Sequence, residues 1–63
     1  MASKRWPRAK QVLRLAAEAA QSNQAERIDT SHILLGLLAE GNGMAMTILR
    51  ELGVNTEELA ALL

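Results

Sequence analysis

An all-α fold follows from three features of this 63-residue chain. Eleven leucines and eleven alanines supply most of its apolar content, and both are strong helix formers. Aromatic residues make up only 2% of the chain, the single Trp6, so the side chains that favour strands are scarce. The few β-branched residues (Val12, Ile28, Ile33, Ile48, Val54 and three threonines) never alternate with polar ones in a strand-like run.

The first helix is expected to open at Pro7, because proline at the first helical position lacks only an N–H that would have no partner there. Ala9, Val12, Leu13, Ala16 and Ala20 then recur at the spacing of one helical face. Lys10, Arg14 and Glu18 line another face, where Arg14 and Glu18 stand four apart and can pair weakly. The pattern fades at Ser22-Asn23, and residues 22–29 read as a loop. Thr30 is the expected N-cap of the second helix, with Asp29 adding a negative charge beside the positive end of the helix dipole.

The body of that helix, Ile33-Leu34-Leu35-Gly36-Leu37-Leu38, is apolar nearly all round, which predicts a central position wrapped by its neighbours. Gly36 weakens the helix, so its presence predicts a close approach of another helix there. Gly41 marks the stop, and Gly41-Asn42-Gly43 is a tight connection. Met44, Ala45, Ile48, Leu49 and Leu52 form the apolar face of a third helix that ends at Gly53. On this pattern Met44 belongs to the core, whereas Met46 lies off the stripe and is expected at the surface or at an interface. Asn55 followed by Glu58 is a capping arrangement for a fourth helix carrying Leu59, Leu62 and Leu63. The expected architecture is one long helix and three short ones, with residues 1–6 as a basic N-terminal arm and 7–63 as the folded unit.

Composition narrows function mainly by exclusion. No cysteine is present, which removes disulfides and thiolate metal sites, and a single His32 cannot build a zinc centre alone. No Gly-x-x-x-x-Gly-Lys-Ser/Thr loop is present to hold nucleotide phosphates. No nucleophile–base constellation can be assembled, and Glu57 and Glu58 diverge by about 100° on a helix, so they do not form a paired carboxylate site. The expectation is a non-enzyme with no catalytic residue, no metal and no cofactor. His32 reads as a packed, hydrogen-bonded histidine. Net charge is zero, but Lys4, Arg5, Arg8, Lys10 and Arg14 precede the first acid, Glu18. Such asymmetry can make a nucleic-acid arm, and the plainer reading is a solvated helix face. The longest apolar run is too short to span a bilayer and the N-terminus lacks a signal-peptide core, so a cytoplasmic location is the expectation.

The stretch Ile28-Asp29-Thr30-Ser31-His32-Ile33-Leu34-Leu35-Gly36-Leu37-Leu38-Ala39-Glu40-Gly41 resembles the signature of the Clp N-terminal domain family. Arg8-Ala9-Lys10-Gln11-Val12-Leu13 is similar to that family's opening helix, and Ala45 to Leu49 with Leu52-Gly53-Val54 to its third element. The resemblance runs from about Arg5 to Leu63. It implies one four-helix repeat of a domain that normally holds two, ahead of AAA+ unfoldase modules, and that receives adaptors and substrates. The expected partner is therefore a protein: a Clp-system adaptor, substrate or unfoldase, or a second copy of the chain in a symmetric homodimer that replaces the missing repeat. Trp6, Arg8, Ser31 and Met46 are the candidate partner-binding residues. Some family members bind phosphoarginine through a glutamate where this chain has Ser31, and through a threonine where it has Trp6. Ser31 lacks the charge for a charge-assisted pair with guanidinium, so that activity is not expected.

Two other readings stay open. Met44 to Leu63 has the rhythm of a helix-turn-helix, although its second helix carries Glu57 and Glu58 and no base, which suits DNA poorly. The chain could also be a fragment of a longer Clp ATPase subunit, since it ends inside an apolar helix.

Overall fold

The computed structural model describes residues 6–63, and the residues described are helices and connections with no strand among them. Four helices follow in order: α1, Pro7–Ser22; α2, Thr30–Glu40; α3, Met44–Glu51; and α4, Thr56–Leu62. The expected basic arm, apart from Trp6, lies outside the described residues.

α1 begins at proline as expected, with the Lys10 amide closing the first turn on the Trp6 carbonyl at 3.0 Å. Its buried residues are Val12, Ala16 and Ala20, spaced four apart, so a narrow stripe of small side chains faces α2. The two helices run antiparallel. Arg8 near the start of α1 bonds Glu40 at the end of α2, and Gly36 in mid-α2 lies against Val12 and Ala16. A Cβ at Gly36 would stand 2.5 Å from the Val12 carbonyl oxygen and 3.0 Å from the Ala16 amide nitrogen, so only glycine permits this crossing. The close approach read from the sequence is present.

The start of α2 differs from expectation by one residue. Asp29, not Thr30, is the N-cap: its carboxylate accepts from the Thr30 amide at 2.6 Å, and Thr30 is the first helical residue. His32 completes a capping box, its Nδ1 accepting from the Asp29 N–H at 2.8 Å. Asp and Thr are both good caps, so composition alone does not choose between them. The choice is made by His32, which takes the role usually played by Glu or Gln three residues on. Buried and hydrogen-bonded, His32 behaves as the sequence predicts.

At its other end α2 stops on Gly41 in the left-handed conformation (φ 77°), whose amide bonds back to the Leu37 carbonyl. α3 follows after Gly43. α4 is capped by Asn55, whose Oδ1 accepts from the Glu58 amide at 3.0 Å, and Glu57 and Glu58 fall in its first turn as expected. Each substantial helix–helix contact involves α2, which is thus central to the arrangement.

Central is not the same as covered. Within α2 only His32 and Gly36 are buried, while Leu34, Leu35, Leu37 and Leu38 are half-exposed and Ile33 more so. The molecule is a thin plate, 35 × 31 × 13 Å, and its buried apolar residues are Val12, Ala16, Ala20 and Met46. The two methionines of α3 exchange their expected places. Met46 is buried at 3% exposure, and Met44 is 73% exposed. α3 turns the Met46 side toward α1 and α2, so the stripe Met44, Ile48 and Leu52 faces outward instead.

Candidate functional site

Two surface features border the α1–α2 seam. The first is at the start of α1, where Trp6 is 59% exposed and lines a shallow hollow with Pro7, Arg8, Gln11 and Glu40. Trp6 makes no side-chain capping bond, and more than half of it is open to solvent. Beside it the Arg8 guanidinium donates to Glu40 Oε2 at 2.8 Å. Glu40 is the better-shielded partner, its side chain 13% exposed, and its other oxygen accepts from the Asn42 amide at 2.9 Å. Arg50 reaches back from α3 to donate to the Gly41 carbonyl at 2.8 Å. Two arginines thus hold the elbow between α2 and α3. Gly43 in that elbow has φ 118°, a backbone conformation that favours glycine, and its bare Cα lets the Arg8 side chain lie across it.

The second feature is an apolar groove of about 400 Å³ between α1, α2 and α3. Leu13, Ile33, Leu37, Met44 and Ala45 line it, with Val12 and Met46 at its floor. Its charged lining residues are Arg8 and Glu40, which neutralise one another.

Of the four residues singled out from sequence, Trp6 and Arg8 come together. Ser31 sits at the opposite end of the seam, about nine residues of α2 and so ~14 Å from Glu40. It is half-buried in the first turn of α2 and shares no hollow with Trp6 within this chain. Met46 forms the floor of the groove rather than an exposed contact. Sequence reasoning missed Glu40, which anchors the elbow from 32 residues away from Arg8. It also missed the groove, because Met44 was assigned to the core and Leu13 was grouped with Val12 and Ala16 on one helical face. The exposure of Trp6 beside a paired arginine and of several large apolar side chains suits contact with another macromolecule. Among the described residues no group of three or more His, Asp or Glu side chains is placed to hold a metal ion. No single helix among them is long and apolar enough to cross a membrane.

Comparison with known proteins agrees with this architecture. The family model of the Clp repeat (R) N-terminal domain matches residues 6–63. A probable ATP-dependent Clp protease ATP-binding subunit of Chlamydia pneumoniae is 50% identical over 48 residues, covering 76% of this chain. The negative regulator of genetic competence ClpC/MecB of Bacillus subtilis is 45% identical over 49 residues, or 78% of the chain. The ClpA homolog of the Clp protease ATP-binding subunit in Cyanidium caldarium is 43% identical over 53 residues, or 84%. In each case the aligned region is 6% of the relative's length, so this chain spans a small part of the proteins it matches. No solved structure matches the chain. With the repeat matched from Trp6 to the last residue and the four helices in place around Gly36, the chain belongs to the Clp repeat N-terminal domain family.

Proposed function

We propose that this chain is a protein-docking module of the Clp proteolysis system, acting in the cytoplasm and receiving an adaptor, a substrate or an unfoldase component without chemistry of its own. The observation that carries this reading is the match to a Clp repeat over residues 6–63, in a chain with no phosphate-binding loop. Relatives that share the repeat are named as ATP-binding subunits of Clp protease, and the repeat is 6% of their length. The docking end is the start of α1. Trp6 offers a rigid apolar anchor, and Arg8, held by Glu40, offers a fixed guanidinium beside it. Ser31 presents a neutral hydroxyl at the far end of the seam, and that position itself has no carboxylate to pair with a phosphorylated guanidinium.

The test is affinity capture from the native cell with the full chain as bait, alongside Trp6→Ala and Arg8→Glu variants. Recovery of Clp-system proteins by the parent chain, reduced at least about tenfold by Trp6→Ala, is expected from loss of a hot-spot aromatic. Equal capture by all three chains would remove the docking end, and capture of no Clp component would remove the function.

A further inference from the structure

An asparagine followed by glycine is prone to cyclise, because glycine has no Cβ to keep its backbone nitrogen away from the side-chain amide carbon. This chain has three asparagines, Asn23, Asn42 and Asn55, followed by Gln24, Gly43 and Thr56. Ring closure needs a side-chain amide free to turn and a following nitrogen not committed to a hydrogen bond. The fold withholds one of these at two of the three positions. The Gln24 amide donates to the Gln21 carbonyl at 3.0 Å, and Asn55 Oδ1 accepts from the Glu58 amide at 3.0 Å. Gln24 and Thr56 also carry side chains, that of Thr56 branched at Cβ. Asn42 differs on every count. It is exposed, and its Nδ2 reaches only the Glu40 carbonyl, at a long 3.4 Å. The Gly43 amide donates to no acceptor among the described residues. Gly43 is also the N-cap of α3, so its nitrogen lies at the positive end of the helix dipole, which favours loss of the amide proton.

We infer that Asn42 is a self-modifying site: it loses ammonia by cyclising on Gly43, and the elbow between α2 and α3 is rebuilt with aspartate or isoaspartate. This goes beyond the docking function and needs no co-reactant but water. Hydroxide takes the Gly43 amide proton, and the nitrogen attacks Asn42 Cγ. The N–Cγ bond forms, the Cγ–Nδ2 bond breaks, and Nδ2 leaves as ammonia with a proton returned from water. Water then opens the imide. Attack at Cγ gives aspartate, whereas attack at the Asn42 backbone carbonyl gives isoaspartate, with the main chain running through the former side chain. Either product places a second carboxylate beside Glu40, whose Oε1 accepts from the Asn42 amide at 2.9 Å and whose Oε2 holds Arg8 at 2.8 Å. Isoaspartate also inserts a methylene into the main chain just before α3, where Asn42, Gly43 and Met44 line the groove. The Arg50 bond to the Gly41 carbonyl spans that link, so the longer chain works against it.

Incubation of the folded 63-residue chain in neutral and mildly alkaline buffer tests the inference. Trypsin cuts after Arg14, Arg27 and Arg50, so each asparagine falls on its own peptide for mass analysis. Isoaspartate is read separately, as methyl acceptance from S-adenosylmethionine with an isoaspartyl carboxyl methyltransferase. Expected is a one-dalton gain confined to the Asn42 peptide, faster at the higher pH, with methyl acceptance that Asn42→Gln abolishes. Asn23 and Asn55 should stay intact over the same interval. Isoaspartyl material should melt below the parent, and Asn42→Asp, which adds the charge without the methylene, should melt between the two. An intact Asn42 in the folded chain, while a urea-unfolded sample reacts or not, overturns the inference. Equal conversion at Asn23 or Asn55 overturns it too, and an isoaspartyl chain that melts with the parent removes the effect on the elbow. None of these results touches capture through Trp6, so this proposal and the docking function fail separately.

Discussion

Gly36 is the position where a single added methyl group has the most calculable effect. Gly36→Ala places a Cβ 2.5 Å from the Val12 carbonyl oxygen and 3.0 Å from the Ala16 amide nitrogen. Both are backbone atoms of a regular helix, so no rotamer change relieves the overlap, and α1 and α2 must separate by a sizeable fraction of an ångström. Overpacking of this kind costs about 1–3 kcal/mol, and the upper part of that range applies where backbone must move. The substitution also gains about 1 kcal/mol of helix propensity, since glycine is poor in a helix interior. The overlap wins, leaving a net loss of about 1–2 kcal/mol. For a domain of this size that corresponds to a fall in Tm of about 5–15 °C. Circular dichroism melts at one fixed protein concentration read the shift directly. Ala39→Gly, on the exposed side of the same helix, isolates the propensity contribution and should cost about 1 kcal/mol by itself. Opposite substitutions in one helix should therefore both destabilise. If Gly36→Ala melts at or above the parent temperature, the close crossing of α1 and α2 is refuted.

Four further outcomes are expected from urea or thermal denaturation. Asp29→Ala should lose about 1 kcal/mol by removing the cap of α2, and Thr30 should not replace it. His32→Gln, which can still accept the Asp29 amide, should retain more stability than His32→Ala; equal losses would show that the capping box contributes nothing. Met46→Ala should cost about 2–5 kcal/mol, near the limit of what so small a domain tolerates, whereas Leu62→Ala at 84% exposure should fall within about 0.5 kcal/mol of the parent. Arg8→Ala should cost less than about 1 kcal/mol, because the Arg8 side chain is 56% exposed and its ion pair is screened, and the difference should shrink further in high salt.

The local rules of helix formation were legible before any coordinates. Pro7 at the first helical position, Gly41 at the end of α2 and the Asn55 cap of α4 each depend on a few neighbouring residues, and each stands as read. Gly36 was legible for the same reason, since a glycine inside an apolar helix has few other uses. What escaped depends on direction rather than on spacing. The periodic pattern Met44, Ile48, Leu52 identifies a face of α3 without saying which way α3 rolls against α1 and α2. The roll is set by the elbow at residues 41–43, held by Arg8 on Glu40 and Arg50 on the Gly41 carbonyl. Those bonds join residues 32 and 9 positions apart, which no periodicity reports. The partner-binding candidates divide the same way. Trp6 and Arg8 stand two apart in sequence and line one hollow, while Ser31 could be placed relative to them only once α1 and α2 were known to be antiparallel.

The small residues at the seam and the open groove beside it have one cause. Val12, Ala16 and Ala20 meet His32 and Gly36 along the line where α1 and α2 touch, so the axes approach closely. A seam of small residues leaves no space there for the larger side chains of either helix. Leu13 and Ile33, one position away from Val12 and His32, are therefore turned to the flank, where α3 closes one side with Met46 and leaves the other open. Replacing alanines by leucines along the seam would push the helices apart and let the flanking residues fold inward, giving a thicker monomer with less exposed apolar surface. The sequence instead keeps the seam small and the flank oily. That arrangement costs a single copy solvent-exposed leucine, isoleucine and methionine, and it gains stability only when something of matching shape lies across them. The face open to a partner is thus a consequence of how α1 and α2 pack, set by Gly36, Ala16 and Ala20 before any partner arrives.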